Sequence, residues 1–306
     1  MTLRRALSPG PRAAYRGRVR AHGLVTDVPE AGAADHVCWV HDGNDDAFDR
    51  AVGRFLVGGL DRGERLLCVG DRVIDSLRKP SSGLADVDAL LADGTLQTVS
   101  AGDAYEATDE FVPEEQFAYY DAATRRALDD GYQGLRVVAE VSELAADPVH
   151  RTALVRWEHL ADDYIASGSG FTAMCAYSGE LARAALDDLT AVHPLVHAPA
   201  GAPAFQVFFD DDGGLALTGS VDTFSADRLA RVLASSPAEP PSVVLDLGRI
   251  EFMDVAACRV LARWAAALSA RSVAVELAGA SVLVRRMWLL LSLDTVAPVT
   301  FTGSRS

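Results

Sequence analysis

Lysine is almost missing from this chain: of its 28 basic residues only Lys79 is not arginine. That bias fits a GC-rich genome and says little about mechanism. Cysteine is scarce too, with four residues at 38, 68, 175 and 258 and no Cys-x-x-Cys pair. The spacing speaks against a disulfide framework and fits a reducing cytoplasm. Cys68 and Cys175 lie in apolar strand-like runs, where cysteine serves as a small core residue. Long apolar runs are also lacking. SVLVRRMWLLLSL is broken by Arg285 and Arg286 and is too short to span a bilayer, and no signal-peptide h-region stands near the N-terminus. No membrane association is expected. Acid is absent from the first twenty residues, which carry Arg4, Arg5, Arg12, Arg16, Arg18 and Arg20.

What is present points to two folded units. A length of 306 residues accommodates two cores. Net charge is −15 despite the basic start, so the body is acidic and nucleic-acid phosphates would be repelled. Residues 1–30 read as a disordered basic tail. From Asp35 to about Val196, the runs HVCWVH, RLLCVG, LQTVSA, LRVVAEV and FTAMCAY alternate with helical patterns at about 45–60, 71–78, 84–92, 114–130 and 148–166. In the helix 114–130, Phe117, Tyr120, Thr124, Ala127 and Leu128 share a face, and Pro113 suits a first turn. This alternation predicts an α/β unit with a mostly parallel sheet and helices on both faces. Residues 198–204 read as a linker. A smaller α/β unit follows at 205–303. It opens on a hairpin around Asp-Asp-Gly-Gly and continues with helices near 224–235, 255–269 and 280–291.

The second unit resembles a STAS domain, the fold of anti-sigma-factor antagonists. The resemblance rests on LALTGSVD at 215–222, VVLDLGRIEFMD at 243–254 and AVELAGAS at 274–281. It implies a partner-binding surface at Asp254, Val255 and Ala256 and along the helix that follows. Physically, Asp254 suits a helix N-cap, and Phe252 is expected to plug the core. In the family, the helix after the aspartate opens with Ser or Thr, which a partner kinase phosphorylates. Here Val255, Ala256 and Ala257 stand there and cannot accept phosphate. The scaffold remains without its usual switch.

The first unit, 34–197, resembles the MEDS sensory domain of methanogen and methylotroph regulators. DHVCWVH at 35–41, FLVGGLDRGERLLCVG at 55–70, GLRVVAEVSE at 134–143, RWEHLADDYI at 156–165, MCAYSG at 174–179 and HPLV at 193–196 carry it, in family order. The resemblance implies a degenerate relative of RecA-like ATPase cores that senses a small molecule, and leaves the ligand and any cofactor open. ATP hydrolysis needs a Gly-rich loop ending in Gly-Lys-Ser/Thr. The corresponding stretch, HDGNDDAFDR at 41–50, has one Gly, no Lys and four aspartates that repel a triphosphate. No enzyme is expected.

Candidate site residues follow from strand geometry. His36 and Cys38 alternate on one strand and share a face. His41 lies just beyond, and Glu140, Cys175 and Tyr177 lie at or near other strand ends, where open parallel sheets bind ligands. One reading, implied mainly by the resemblance to the MEDS domain, is a ligand pocket lined by His36, Trp39, Glu140, Glu158 and Tyr177. Another is a soft-metal or haem site of His36, Cys38, His41 and Cys175, although the spacing matches no standard zinc motif. The bland alternative is core cysteines and a carboxylate-paired histidine, with Glu158 on a solvated helix face and His193 fixing a turn before Pro194. Met287, Trp288 and Leu290 are expected on either a dimer face or a core face.

Together these features predict a cytoplasmic signalling protein. Its sensory unit would control a STAS unit that binds an anti-sigma factor or a histidine-kinase-like ATPase. A ligand-free scaffold and a nucleotide-binding enzyme with a degenerate phosphate loop are the rival expectations.

Overall fold

A computed structural model describes residues 20–27, 35–42, 45–100, 102 and 111–303. The first unit is built on strands β1 (Gly23–Leu24), β2 (His36–His41), β3 (Arg65–Val69), β4 (Leu96–Val99), β5 (Leu135–Glu140), β6 (Phe171–Ser178) and β7 (Leu195–His197). All are parallel, in the order β1-β7-β2-β6-β5-β3-β4. The central strands are apolar on both faces because both faces are covered. Along β2 the pleat sends Val37 and Trp39 into one core and Cys38 and Val40 into the other.

The first core packs under α1 (Asp45–Asp61), α2 (Asp71–Leu77) and α3 (Val87–Ala92). Gly53 lets α1 press on the turn at Pro80–Ser82, since a Cβ there would lie 1.7 Å from the Ser82 carbonyl oxygen. The opposite face carries α4 (Pro113–Asp129), α5 (Ser142–Ala146), α6 (Pro148–Ala166) and α7 (Arg183–Thr190). On α4, Tyr120, Thr124 and Ala127 are buried as the periodicity predicts, whereas Leu128 is exposed.

The second unit contains β8 (Phe205–Phe209), β9 (Leu215–Val221), β10 (Ser242–Asp246), β11 (Ile250–Met253), β12 (Ala274–Ala278) and β13 (Val299–Phe301). Strands β8 and β9 form the antiparallel hairpin foreseen at Asp-Asp-Gly-Gly, and the remaining pairings are parallel in the order β11-β9-β10-β12-β13. Its helices are α8 (Ala226–Ser235), α9 (Val255–Ala270) and α10 (Val282–Leu290). The architecture is α/β throughout, a large parallel sheet followed by a smaller mixed one.

Three expectations need correction. The stretch 20–27, assigned to the disordered tail, is structured: Gly23 and Leu24 extend the sheet beside β7, and Arg20 is buried. The rest of that tail lies outside the described residues. Phe252 is 53% exposed and does not plug the core, because the short strand β11 turns it outward. The linker at 198–204 does not separate two bodies. A single apolar core runs from the α6 face of the large sheet into the second unit, through Trp157, Val207, Phe209, Val232 and Leu233.

Polar contacts seal that junction. Gln206 Nε2 donates to the carbonyls of His193 (2.6 Å) and Pro194 (2.8 Å), and Val207 N–H donates to Ala191 O at 2.7 Å. Arg228 and Arg231 each reach a carboxylate of α7, Asp187 and Asp188, at 2.8 Å. No helix among the described residues is long and apolar enough to cross a membrane.

Candidate functional site

Helix α6 is buried on almost every side. Leu154, Val155, Trp157, Glu158, His159, Ala161, Asp162 and Ile165 are all inaccessible, so the helix has no continuous polar stripe. Glu158 and Asp162 are one turn apart and project from one face toward β2 and β6. There they meet His36 from β2, Cys175 and Tyr177 from β6, and His193 from the segment after α7. All of these side chains are buried.

The hydrogen bonds define each partner's state. His36 Nδ1 donates to Asp162 Oδ1 at 3.1 Å, and its Nε2 faces Glu158 Oε2 at 3.3 Å. Tyr177 donates its hydroxyl proton to Glu158 Oε1 at 2.5 Å. The Cys175 thiol points to Glu158 Oε2 at 3.3 Å and lies 3.7 Å from His36 Nε2. His193 donates from Nδ1 to the Leu189 carbonyl at 2.8 Å, and its Nε2, 3.4 Å from Glu158 Oε2, has no hydrogen-bond partner. Asp162 also holds Arg20, whose Nη1 lies 2.7 Å from Oδ1 and donates to the Phe209 carbonyl at 3.0 Å.

Burial opposes charge on all these groups, and local pairing decides which stay ionised. Burial alone would lower the His36 imidazole, but hydrogen bonds to Asp162 and Glu158 raise it above its ordinary value. Burial would raise Glu158, yet the His193 and His36 rings pull it far below the usual carboxylate range. For Asp162 the opposing force is the Arg20 guanidinium, which holds the carboxyl low. Burial, reinforced by the His36 charge, keeps His193 below its ordinary value. Burial and the nearby Glu158 carboxylate hold the Cys38 and Cys175 thiols well above theirs. Arg20 and the two imidazoles thus face the carboxylates of Glu158 and Asp162.

Of the residues singled out from sequence, His36, Cys38, Glu158, Cys175 and Tyr177 come together, with Cys38 paired in register to Cys175. Trp39 and His41 do not, because the pleat turns them to the other face. Trp39 stacks on His197 with centroids 3.8 Å apart, and His41 tilts on Phe48. Glu140 lies 3.9 Å from His41 and bonds Ser142, outside the buried cluster. The proposed quartet of His36, Cys38, His41 and Cys175 is therefore not assembled.

His193 is no mere turn residue, since its ring stands in the cluster 4.1 Å from that of His36, centroid to centroid. Glu158 is not on a solvated face. Sequence reasoning missed Asp162, His159 and Arg20. The available signal was a helix, RWEHLADDYI, whose apolar residues leave no free face for its charges.

Of the stretch in place of a phosphate loop, residues 45–50 belong to α1, and residues 43 and 44 lie outside the described set. Asp49, one of its acids, is buried and accepts from Ser76 (2.6 Å), Arg72 and Ser81 (both 3.0 Å). It is a structural anchor for α2 and the turn at 80–82.

A second feature lies on the smaller unit. Asp254 caps α9: Oδ1 accepts the Ala257 N–H at 2.9 Å, and Oδ2 accepts the Thr223 hydroxyl at 3.2 Å. Around it, Val255 and Phe252 are exposed, as is Phe224, at 93%. On α10, Trp288 is buried and Met287 half-buried, whereas Val282, Leu283, Leu289 and Leu290 face outward. A groove of about 710 Å³ separates α6 from α8 and is walled by both units, with Arg151, Arg156 and Arg231 among its lining.

Comparison with protein families gives two matches. A family model described as MEDS, the MEthanogen/methylotroph, DcmR Sensory domain, matches residues 35–194. A second, described as Mlab, STAS domain, matches residues 206–300. No curated protein matches the chain.

Proposed function

The chain belongs to the family of MEDS sensory domains and carries a STAS domain behind it, and on that premise we propose that it is a non-enzymatic signalling regulator. In this reading the state of the buried MEDS cluster controls how the STAS domain presents Asp254, Val255 and Ala256 to a protein partner. That partner is an anti-sigma factor or a histidine-kinase-like ATPase. Control does not pass through phosphorylation at the start of α9, where no hydroxyl is available.

One observation carries the proposal. The Asp162 carboxylate belongs to both domains at once: Oδ1 accepts from His36, and Oδ2 accepts the N–H of Phe209 in β8 at 2.7 Å. From there β8 pairs along β9, β9 ends at Val221, and the adjoining Thr223 bonds Asp254. A change in the charge or position of Asp162 therefore pulls on a strand that leads to the partner surface. Helix α6 adds a second grip, since His159 Nε2 donates to the Val232 carbonyl of α8 at 3.2 Å. Coupling of this kind requires input and partner to favour different states of the same element, here the α6–β8 junction.

The chemistry of the exposed patch suits a protein partner. Phe224, Phe252 and Val255 form apolar surface beside the Asp254 carboxylate, which is already engaged as a cap. The test is a pull-down with the full chain as bait in its own host. Capture of an anti-sigma factor or kinase that is lost with Val255→Asp supports the reading. Capture that survives this substitution sinks it. A separate check is phosphopeptide mass spectrometry, which should find no modification at residues 254–258.

A further inference from the structure

The contacts around Glu158 Oε2 are long for N–H···O hydrogen bonds, and their spacing also suits a bound cation. Three atoms surround this oxygen almost equidistantly: His36 Nε2 at 3.3 Å, Cys175 Sγ at 3.3 Å and His193 Nε2 at 3.4 Å. Good N–H···O bonds lie at about 2.9–3.0 Å, and the other oxygen of the same carboxylate shows that this site can make short ones, since Tyr177 approaches it to 2.5 Å. One of the three, His193 Nε2, makes no hydrogen bond at all, although its ring is fixed by donation from Nδ1 to the Leu189 carbonyl. A buried ring nitrogen left without a partner beside a buried carboxylate is costly, and a cation held between the two would satisfy both.

We propose that His36 Nε2, Glu158 Oε2, Cys175 Sγ and His193 Nε2 form a closed tetrahedral site for one divalent transition-metal ion of the zinc class. The four ligand atoms all lie within 4.8 Å of one another and every one of these residues is buried. Zinc bonds of about 2.0–2.1 Å to N or O and about 2.3 Å to S place tetrahedral ligands about 3.3–3.6 Å apart. Three of its edges, at 3.3, 3.3 and 3.4 Å, fall on that range, and the edge from Cys175 to His36, at 3.7 Å, lies just beyond it. A mixture of two imidazoles, a thiolate and a carboxylate selects zinc, cobalt or ferrous iron over calcium and magnesium. Four protein ligands leave no open position, so the ion is structural and does not carry out catalysis.

The outer contacts complete the site. His36 donates its remaining N–H to Asp162, His193 donates its own to a backbone carbonyl, and Tyr177 fixes the free oxygen of Glu158. The two histidines and the glutamate are thus each held by a second group that fixes their orientation, as metal-bound histidines require. This inference goes beyond the signalling proposal, and the ion binds whether or not it is the signal.

Because the site is fully buried, metal enters as the chain folds. The test is therefore expression of the full-length protein in minimal medium supplied with cobalt or zinc alone, followed by desalting. The expected result is one metal per chain. Cobalt should show the intense ligand-field bands of a tetrahedral site and a thiolate-to-cobalt charge-transfer band, the latter lost in Cys175→Ser and kept in Cys258→Ser. X-ray absorption on the zinc-loaded wild-type chain needs no variant and should give one sulfur and three N/O ligands. Tyr177→Phe, which removes only an outer contact, should weaken retention by about tenfold. A folded wild-type chain that leaves metal-rich medium without metal overturns the proposal. So does a bound ion with no sulfur in its shell.

Discussion

At Asp162 one carboxylate is shared by Arg20, His36 and the backbone of Phe209, and all of it is out of water. Asp162→Asn keeps the shape but strands two cations, and removing one member of such a buried set costs about 3–5 kcal/mol. Urea unfolding should show that loss as a lower midpoint with an unchanged slope. Asp49 gives a separate, pH-dependent prediction. Burial alone would raise its carboxyl, but hydrogen bonds from Ser76, Arg72 and Ser81 leave it below the usual range. A depressed folded value means that the group stabilises the fold above its unfolded pKa of about 3.9, and that this stability is lost as pH falls further. Asp49→Asn should flatten the acid limb of the stability–pH curve below about pH 4, measured by thermal melts across pH. A curve parallel to wild type would assign the acid limb to other carboxylates. At this scale the sequence was partly legible. The two-residue period placed His36 and Cys38 on one face, and the same period should have sent Trp39 and His41 to the other. His193 was invisible as a cluster member because nothing local says that the segment after α7 returns across the sheet.

The elements carry the next level of the account. Helix α6 holds the cluster on one side and the STAS domain on the other, which explains a helix with buried charge and no solvated stripe. In the first core, α1 needs Gly53 to reach the turn at 80–82. Gly53→Ala forces a Cβ into backbone, and overpacking of that kind costs about 1–3 kcal/mol. A fall in melting temperature should report it, and an unchanged value would mean that the turn moves freely. The start of α9 behaves differently. Val255 and Phe252 are exposed, so Val255→Asp and Phe252→Ser should change stability by no more than about 0.5 kcal/mol while weakening partner capture. The parallel and antiparallel elements were readable from alternation and turn signals. The outward turn of Phe252 was not, because β11 is too short for its pattern to fix a face. Strand β1 escaped notice because two residues carry no period.

The whole molecule is two sheets sharing one core. MEDS and STAS domains are joined through α6, α7, β8 and α8, with β8 hydrogen-bonded back to residues 191–194. A segment of 205–303 produced alone would expose Phe209, Val207 and Val232, so it is expected to be poorly soluble, which light scattering at rising concentration would reveal. Two domains packed in this way move as one unit unless the junction itself changes, and Asp162 is the contact that ties the junction to the buried cluster. Hydrogen–deuterium exchange on wild-type and Asp162→Asn chains, read over the full length, tests that claim most directly. The account predicts faster exchange in β8 and in peptides covering 220–224 and 254–258, with β12 and β13 unchanged. Faster exchange confined to α6 and β2, with the surface around Asp254 as protected as before, would contradict it.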